Sequence, residues 1–349
     1  DADTGYQIES IKFGDKSVAN GSDIVITAAG SLTATASLKT YTVTISNPTG
    51  VTISATVNGT NYTNTFTAKH GTSIKYNVLA STGYDVTSFT YGGTTINNGD
   101  TKVLTGNVTV TAAATLKTYE VNIIQPSDGT IKVGSNTSKF TAKHFDSYTV
   151  ALTPATGYSV KSLTWNSKEI TNGSKQTITG ATVVTGSTSA IPQTITITQP
   201  SNGTIKVRYN GKDYTSSFTV PYNSTITITA TPDTGYKLST LTYGGSAISS
   251  GASKTVTSPV TITGSFSILS NGVSFTKPAN GSIKLTYNGK DYTSSIDNVT
   301  YGSKVKVTVS ANTGYYIDSI TANGKTITNG SEITVNSAIN IIANIYLIY

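Results

Sequence analysis

The stretch TPDTGYKLSTLTYGGSAI, Thr231 to Ile248, recurs along the chain and decides its fold. Its Gly235-Tyr236 pair has counterparts at Gly5-Tyr6, Gly83-Tyr84, Gly157-Tyr158 and Gly314-Tyr315, so successive glycines stand 78, 74, 78 and 79 residues apart. A fixed period of that size marks a tandem array of one small module. No window repeats apolar residues at helical spacing, while short runs of Thr, Val, Ile and Tyr alternate with a period of two. The expected fold class is therefore all-β, a tandem array of small β-sandwich or β-grasp-like modules of about 75–79 residues forming an elongated rod. The implied boundaries are 1–39, a partial module holding only the C-terminal half; 40–117, 118–192 and 193–270, complete repeats; and 271–349, a repeat with an apolar C-terminal strand. At roughly 30 Å per globule, four and a half modules in line would span ~130 to 150 Å.

Within a module the pattern predicts six or seven short strands. The first, as in Tyr41-Thr42-Val43-Thr44-Ile45, stops at a Pro/Gly turn such as Asn47-Pro48-Thr49-Gly50 or Gln199-Pro200-Ser201-Asn202-Gly203. Proline fixes φ and glycine supplies a positive φ, so each module is expected to open with a hairpin. The return strand runs into a second turn, where Asn210-Gly211 and Asn288-Gly289 are the strongest hairpin signals in the chain. In the partial module, strands are expected at Ile8 to Phe13, Ile24 to Thr27 and Leu32 to Ala36.

Only 12% of residues are charged, and the net charge of +7 comes from scattered lysines with Arg208 as the one arginine. Nucleic-acid binding leans on clustered basic residues and arginine forks, so no nucleic-acid partner is implied. The absence of cysteine excludes disulfides and thiolate chemistry and suits a bacterial or bacteriophage exterior better than a secreted eukaryotic array. No run approaches the roughly 18 apolar residues of a membrane span, so no membrane insertion is implied. Lacking methionine and a signal peptide, the chain reads as processed or cropped.

The pattern resembles the divergent InlB B-repeat family, also called the bacterial repeat domain, tandem β modules of bacterial surface and some bacteriophage proteins. The resemblance rests on Tyr41 to Ile45, the Pro/Gly turn with Gly-Thr-Ile, Thr229-Ala230-Thr231-Pro232 before Gly235-Tyr236, and the closing segment Val260 to Phe266. Members often carry tryptophan after Gly-Tyr; here only Trp165 does so, and Tyr91 and Tyr243 stand in its place. The resemblance implies extracellular spacer or adhesion modules and brings no catalytic residues.

Reactive constellations are sparse. His70 and His144 occupy equivalent places after Phe-Thr-Ala-Lys, where later modules have Tyr222 and Tyr301, and they read as surface turn residues. Neither Asp1-Ala2-Asp3 nor Asn97-Asn98-Gly99-Asp100 meets the spacing of a calcium loop, and no pair of carboxylates recurs as a glycosidase would need. No enzyme, metal or cofactor is implied. Lys206 and Lys284, among many asparagines, make a lysine–asparagine crosslink conceivable if the two were buried beside a carboxylate. The candidate ligand contacts are Tyr209, Asn210, Lys212 and Tyr214 with their counterparts Tyr287, Asn288, Lys290 and Tyr292, since tyrosine beside Asn and Lys suits a sugar ring or a protein partner. Gly5, Tyr6, Gly83, Tyr84, Gly157, Tyr158, Gly235, Tyr236, Gly314 and Tyr315 are assigned to structural corners. The terminal strand offers Ile339, Ile341, Ile345, Leu347 and Tyr349 for self-assembly by strand addition. The functions these features suggest are an extracellular stalk or adhesin segment touching cell-surface glycan or protein, a bacteriophage capsid decoration or fibre, or a polysaccharide-binding accessory region of an enzyme.

Overall fold

The computed structural model describes residues 1–349 and is all-β, with no helix and thus none long and apolar enough to cross a membrane. It divides into two compact units, Asp1–Ala155 with Val160–Thr188, and Thr156–Ser159 with Ser189–Tyr349.

The first unit starts with β1 (Tyr6–Phe13), β2 (Lys16–Ser17) and β3 (Leu32–Leu38), which form one three-stranded sheet in the order β2-β1-β3. Residues 24–27, expected as a strand, are irregular, and Val25 and Ile26 are exposed because no opposing sheet gives their side chains a core to enter.

A full repeat follows in β4 (Thr40–Ser46), β5 (Val51–Val57), β6 (Thr60–Tyr62), β7 (Phe66–Lys69), β8 (Ser73–Ala80), β9 (Tyr84–Tyr91), β10 (Thr94–Thr95), β11 (Thr101–Val103) and β12 (Val108–Leu116). These nine strands exceed the expected six or seven because β6, β10 and β11 are pairings of two or three residues. They build two sheets, β10-β9-β12-β4-β7 and β11-β8-β5-β6. The repeat is a sandwich of these two sheets. Alternation supplies the core: Val43 and Ile45 of β4, Ile53 and Ala55 of β5, Ile74 and Tyr76 of β8, and Val110 of β12 are all buried in one cluster. The same sheet orders recur in the strands of residues 118–190, 192–268 and 270–347, except that 118–190 has no counterpart of β6.

Two expectations about the opening turn are corrected. The Pro/Gly turn does not close a hairpin, because β4 and β5 lie in different sheets. Both strands bury one alternating face, and crossing from sheet to sheet lets the two faces meet across a single core. The edge of β4 that a hairpin partner would use is filled by β12, parallel to it with Val43 opposite Val108. Nor is positive φ the general reason for the turn glycine: Gly50 has φ +92°, but Gly129, Gly203 and Gly281 do not have positive φ. A Cβ on Gly203 would overlap the Phe266 ring, and one on Gly281 would meet the Ser310 carbonyl, so close approach is what requires glycine there.

Outward threonines and serines pair across the antiparallel strands rather than simply facing water. Thr242 meets Thr263 at 2.8 Å, Thr240 meets Ser265 at 2.7 Å and Thr164 meets Thr185 at 2.7 Å.

Tyr76 is fully buried and its hydroxyl has no hydrogen-bond partner. Burial, reinforced by neighbouring Tyr91, raises its pKa above the ordinary 10.0. The folded state thus keeps a proton that the unfolded chain releases above pH 10, and this stabilisation is present below that pH and lost as pH rises beyond it. Tyr76→Phe is expected to keep or raise the melting temperature at pH 7 and to soften the alkaline decline. A loss above about 1 kcal/mol at pH 7 would show that the hydroxyl is bonded after all.

Candidate functional site: the glycine–ring joints

The Gly-Tyr corners are joints. Gly5, Gly83, Gly157, Gly235 and Gly314 all have φ between +80° and +85°, a conformation that exposes a glycine face free of Cβ. On four of these faces lies an aromatic ring from the following repeat: His70 on Gly5, His144 on Gly83, Tyr222 on Gly157 and Tyr301 on Gly235. A Cβ on any of these glycines would stand 2.0 to 2.4 Å from the nearest ring atom and so overlap the ring. The surface reading of the histidines is therefore corrected, and His144 is only 4% exposed. Tyr41 and Tyr119 flank the two histidines at centroid separations of 5.9 and 5.8 Å, and Tyr158 flanks Tyr222 at 5.9 Å.

A two-step backbone relay accompanies each ring. The amide of Lys117 donates to the carbonyl of Gly83 at 2.9 Å, and the amide of His144 donates to the carbonyl of Lys117 at 2.8 Å. Lys39, Ile191 and Leu269 repeat this link between Gly5 and His70, Gly157 and Tyr222, and Gly235 and Tyr301, with distances of 2.8 to 3.0 Å. The residue after each ring, Gly71, Phe145, Asn223 or Gly302, has positive φ and turns the chain back sharply beneath it. At Gly314 the amide of Ile348 makes the first bond at 2.9 Å, and no ring lies on the glycine. Tyr84 has its own seat, against Gly50.

Side-chain amides lock each sandwich from within. Asn172 and Asn329 each exchange two hydrogen bonds with the backbone of one residue, Leu152 and Val309 respectively, and the Ser250 hydroxyl does the same for Ala230. Asn98, taken above with a calcium-like run, accepts from the amide of Val78 at 2.8 Å, and Asp100 accepts from the amide of Asn97. These carboxamides are structural.

The hairpin tyrosines expected to meet a ligand are largely in use. Asn210 (φ +46°) with Gly211, and Asn288 (φ +47°) with Gly289, are left-handed turn residues as the Asn-Gly pairs require. Tyr214 stacks on Phe218 at 3.8 Å, and the ammonium of Lys212 stands 5.0 Å over its ring, so neither face is open to a sugar. Lys290 covers Tyr292 in the same way at 5.2 Å. Tyr287 is 9% exposed; its hydroxyl is hydrogen-bonded to Thr300 Oγ1 and accepts from the Thr300 amide, and bonds that the phenol oxygen can accept from the Thr300 side chain and then its backbone hold its pKa below the usual phenol value. Tyr209 is half-buried and its hydroxyl accepts from Ser224 Oγ at 3.4 Å.

The crosslink idea also yields to geometry. Lys206 and Lys284 form exposed ion pairs with Asp213 at 3.1 Å and Asp291 at 2.9 Å, well outside any buried lysine–asparagine site. A hydrogen bond from Thr286, then one from Lys284, lowers the pKa of the Asp291 carboxyl.

The terminal strand Ile339–Leu347 is not a free edge along its whole length. Ile339 to Ile341 pair with Val273 to Phe275, Ile341 to Leu347 pair with Ala322 to Tyr315, and Ile339 and Ile341 are core residues. Ile345 packs against the same core, so of the five assembly candidates only Leu347 and Tyr349 are exposed.

Gly235→Ala and Gly211→Ala test the joint, since both replace a positive-φ glycine, at +85° and +78°, and only Gly235 has a ring against it. Gly235→Ala is expected to cost about 1–3 kcal/mol more in urea unfolding, and Tyr301→Ala in the same chain should remove most of that excess. Equal losses from the two single substitutions would contradict the joint.

Residues 193–269 match the family model of the Divergent InlB B-repeat domain. No curated protein matches the chain. In structure, the chain is similar to the TIE protein of Bacillus anthracis at 10% identity, over 88% of this chain and 69% of that one, with a TM-score of 0.34. It is also similar to two B repeat units of the collagen binding protein of Staphylococcus aureus, at 11% identity over 89% of this chain and 100% of that one, TM-score 0.18. The pilus adhesin SpaC of Lactobacillus rhamnosus GG is similar at 12% identity over 70% of this chain and 45% of that one, TM-score 0.21. The family match thus covers residues 193–269, and the sheet pairs before and after that segment repeat its strand order and its Gly-Tyr corner.

Proposed function

We propose that this chain is a non-enzymatic, repeat-built segment of a bacterial surface protein, a stalk or adhesin segment whose repeats are coupled by the glycine–ring joints. The observation that carries this reading is the recurrence of one joint at four corners, with His and Tyr used interchangeably for the ring. Such interchange is expected of a packing role and not of a proton-transfer or metal-ligand role. The only two histidines in the chain are both held in joints. The family match supports a repeat architecture. Contact with a cell-surface glycan or protein falls to the exposed tips of the Asn210-Gly211 and Asn288-Gly289 hairpins, with Lys212 and Lys290, rather than to the covered tyrosine faces.

Force applied between the chain ends in a single-molecule experiment should release repeats one at a time, each adding about 25 nm of contour at ~3.5 Å per residue. Light scattering on the same preparation should give the mass of a monomer, 36.3 kDa. One smooth low-force extension, or a stable trimer, would contradict the stalk and point to an assembled particle component.

A further inference from the structure

Three of the four sheet pairs carry a side-chain amide where the chain leaves the first strand for the crossover turn, and all three direct it to the N–H of the equivalent residue of the second strand and to a carbonyl of the turn that follows; the two glutamines also reach the carbonyl of that same second-strand residue. Asn47 accepts from the amide of Ile53 at 2.6 Å and donates to the carbonyl of Thr63 at 2.9 Å. Gln125 accepts from the amide of Ile131 and donates to the carbonyls of Ile131 and Thr137. Gln199 does the same with Ile205 at 2.9 and 2.6 Å and with Thr215 at 2.8 Å.

In the last sheet pair this place belongs to Lys277. An ammonium has donors and no acceptor, so it cannot receive the backbone N–H that Gln199 receives. The counterpart of Ile205 is Ile283, and its polar groups still point outward. Ile283 faces Val309 across the sheet, and the N–H and C=O of Val309 are both bonded to Asn329 at 2.8 Å. Ile283 and Val309 are therefore a non-hydrogen-bonded pair, which turns the N–H and C=O of Ile283 toward the opposite edge. A depression of about 460 Å³ runs from that edge over the solvent face of the same sheet; Phe275, Lys277, Ile283 and Thr293 line its edge side and Ser282, Lys284, Thr308 and Ser310 its floor, where Thr293 is the counterpart of Thr215. Its volume lies within the roughly 300–1,000 Å³ of ligand sites.

We propose that this depression is a receptor site for a primary carboxamide, the side chain of an Asn or Gln presented by a partner polypeptide. The ligand carbonyl accepts from Ile283 N–H, and its two N–H groups donate to the carbonyls of Ile283 and Thr293, reproducing the bonds Gln199 makes internally. A carboxylate accepts from Ile283 but has nothing to donate to the two carbonyls. The acetamide of an N-acetyl sugar has one N–H and satisfies one carbonyl only. Phe275 provides an apolar wall for the methylenes behind the amide. The neighbouring Lys284 is engaged by Asp291 at 2.9 Å, which leaves Lys277 as the cation at the rim. The site stands apart from the stalk reading, since a coupled array functions as a spacer with or without it.

The test is an NMR titration of the isotope-labelled full chain with N-acetyl-L-glutamine methylamide, the matching glutamate compound and N-acetylglucosamine. The glutamine compound is expected to give a saturable shift of the Ile283 amide with a Kd in the millimolar range, as suits about 14 heavy atoms at roughly 0.3 kcal/mol each. The other two should shift it at least about tenfold less at equal concentration, a difference worth ~1.4 kcal/mol. Lys277→Gln should close the site with the chain's own amide, abolishing the shift and raising the melting temperature, while Lys277→Ala should retain binding. No saturable shift, an equal response to the glutamate compound or the sugar, or undiminished binding in Lys277→Gln would each overturn the proposal.

Discussion

The structure depends on one contact, an aromatic ring packed against a glycine face that has no Cβ. A positive φ turns that face outward, and the ring removes apolar surface from water where any larger residue would clash. The relay of two backbone bonds then fixes the residue between corner and ring, so the first strand of the next repeat starts from a defined place. From that start β4 enters its sheet beside β12, crosses to the second sheet through the Pro/Gly turn, and returns in β7 to present the ring again. Each repeat therefore carries both halves of a joint: a ring on its own turn, and a glycine at its own corner.

Much of this was legible in the sequence. The Gly-Tyr period exposed the array, period-two alternation gave the strands, and Asn210-Gly211 and Asn288-Gly289 fixed two turns whose φ values are as that dipeptide demands. What was not legible is long-range. Alternation is identical whether the strand after a turn pairs with its predecessor or faces it across a core, so β4 and β5 read as a hairpin and are an arch. His70 and His144 each follow a lysine and precede a turn, Gly71-Thr72-Ser73 or Phe145-Asp146-Ser147, a local pattern that points to solvent, and their seats are glycines more than 60 residues upstream. The signal that could have found them was present: His, His, Tyr and Tyr at one repeat position share a flat ring and little else.

Hydrogen-bond partners separate the polar residues that stabilise the repeats from those left over. Asn and Gln are abundant, and most of the well-placed ones replace missing ladder bonds at points where a strand has no neighbour, as Asn172 does for Leu152 and Gln199 for Ile205. The tyrosines chosen from sequence as ligand platforms were found through their density, but density does not reveal ring faces, and Phe218 and Lys212 take both faces of Tyr214. Lys277 carried no signal when considered alone. Its meaning appears only when the backbone groups that its counterparts satisfy are identified.

The central claim is that the joints hold as firmly as the sandwiches they connect. Native-state hydrogen exchange of the Lys117 and Leu269 amides, each donating to a corner glycine carbonyl, tests it most directly. Exchange of both with the same opening free energy as amides of the adjacent cores, falling for Leu269 alone when Tyr301 is replaced by alanine, is the predicted result. Rapid exchange of both in the intact chain, unchanged by that replacement, would show that the rings rest on the glycines without holding the repeats together.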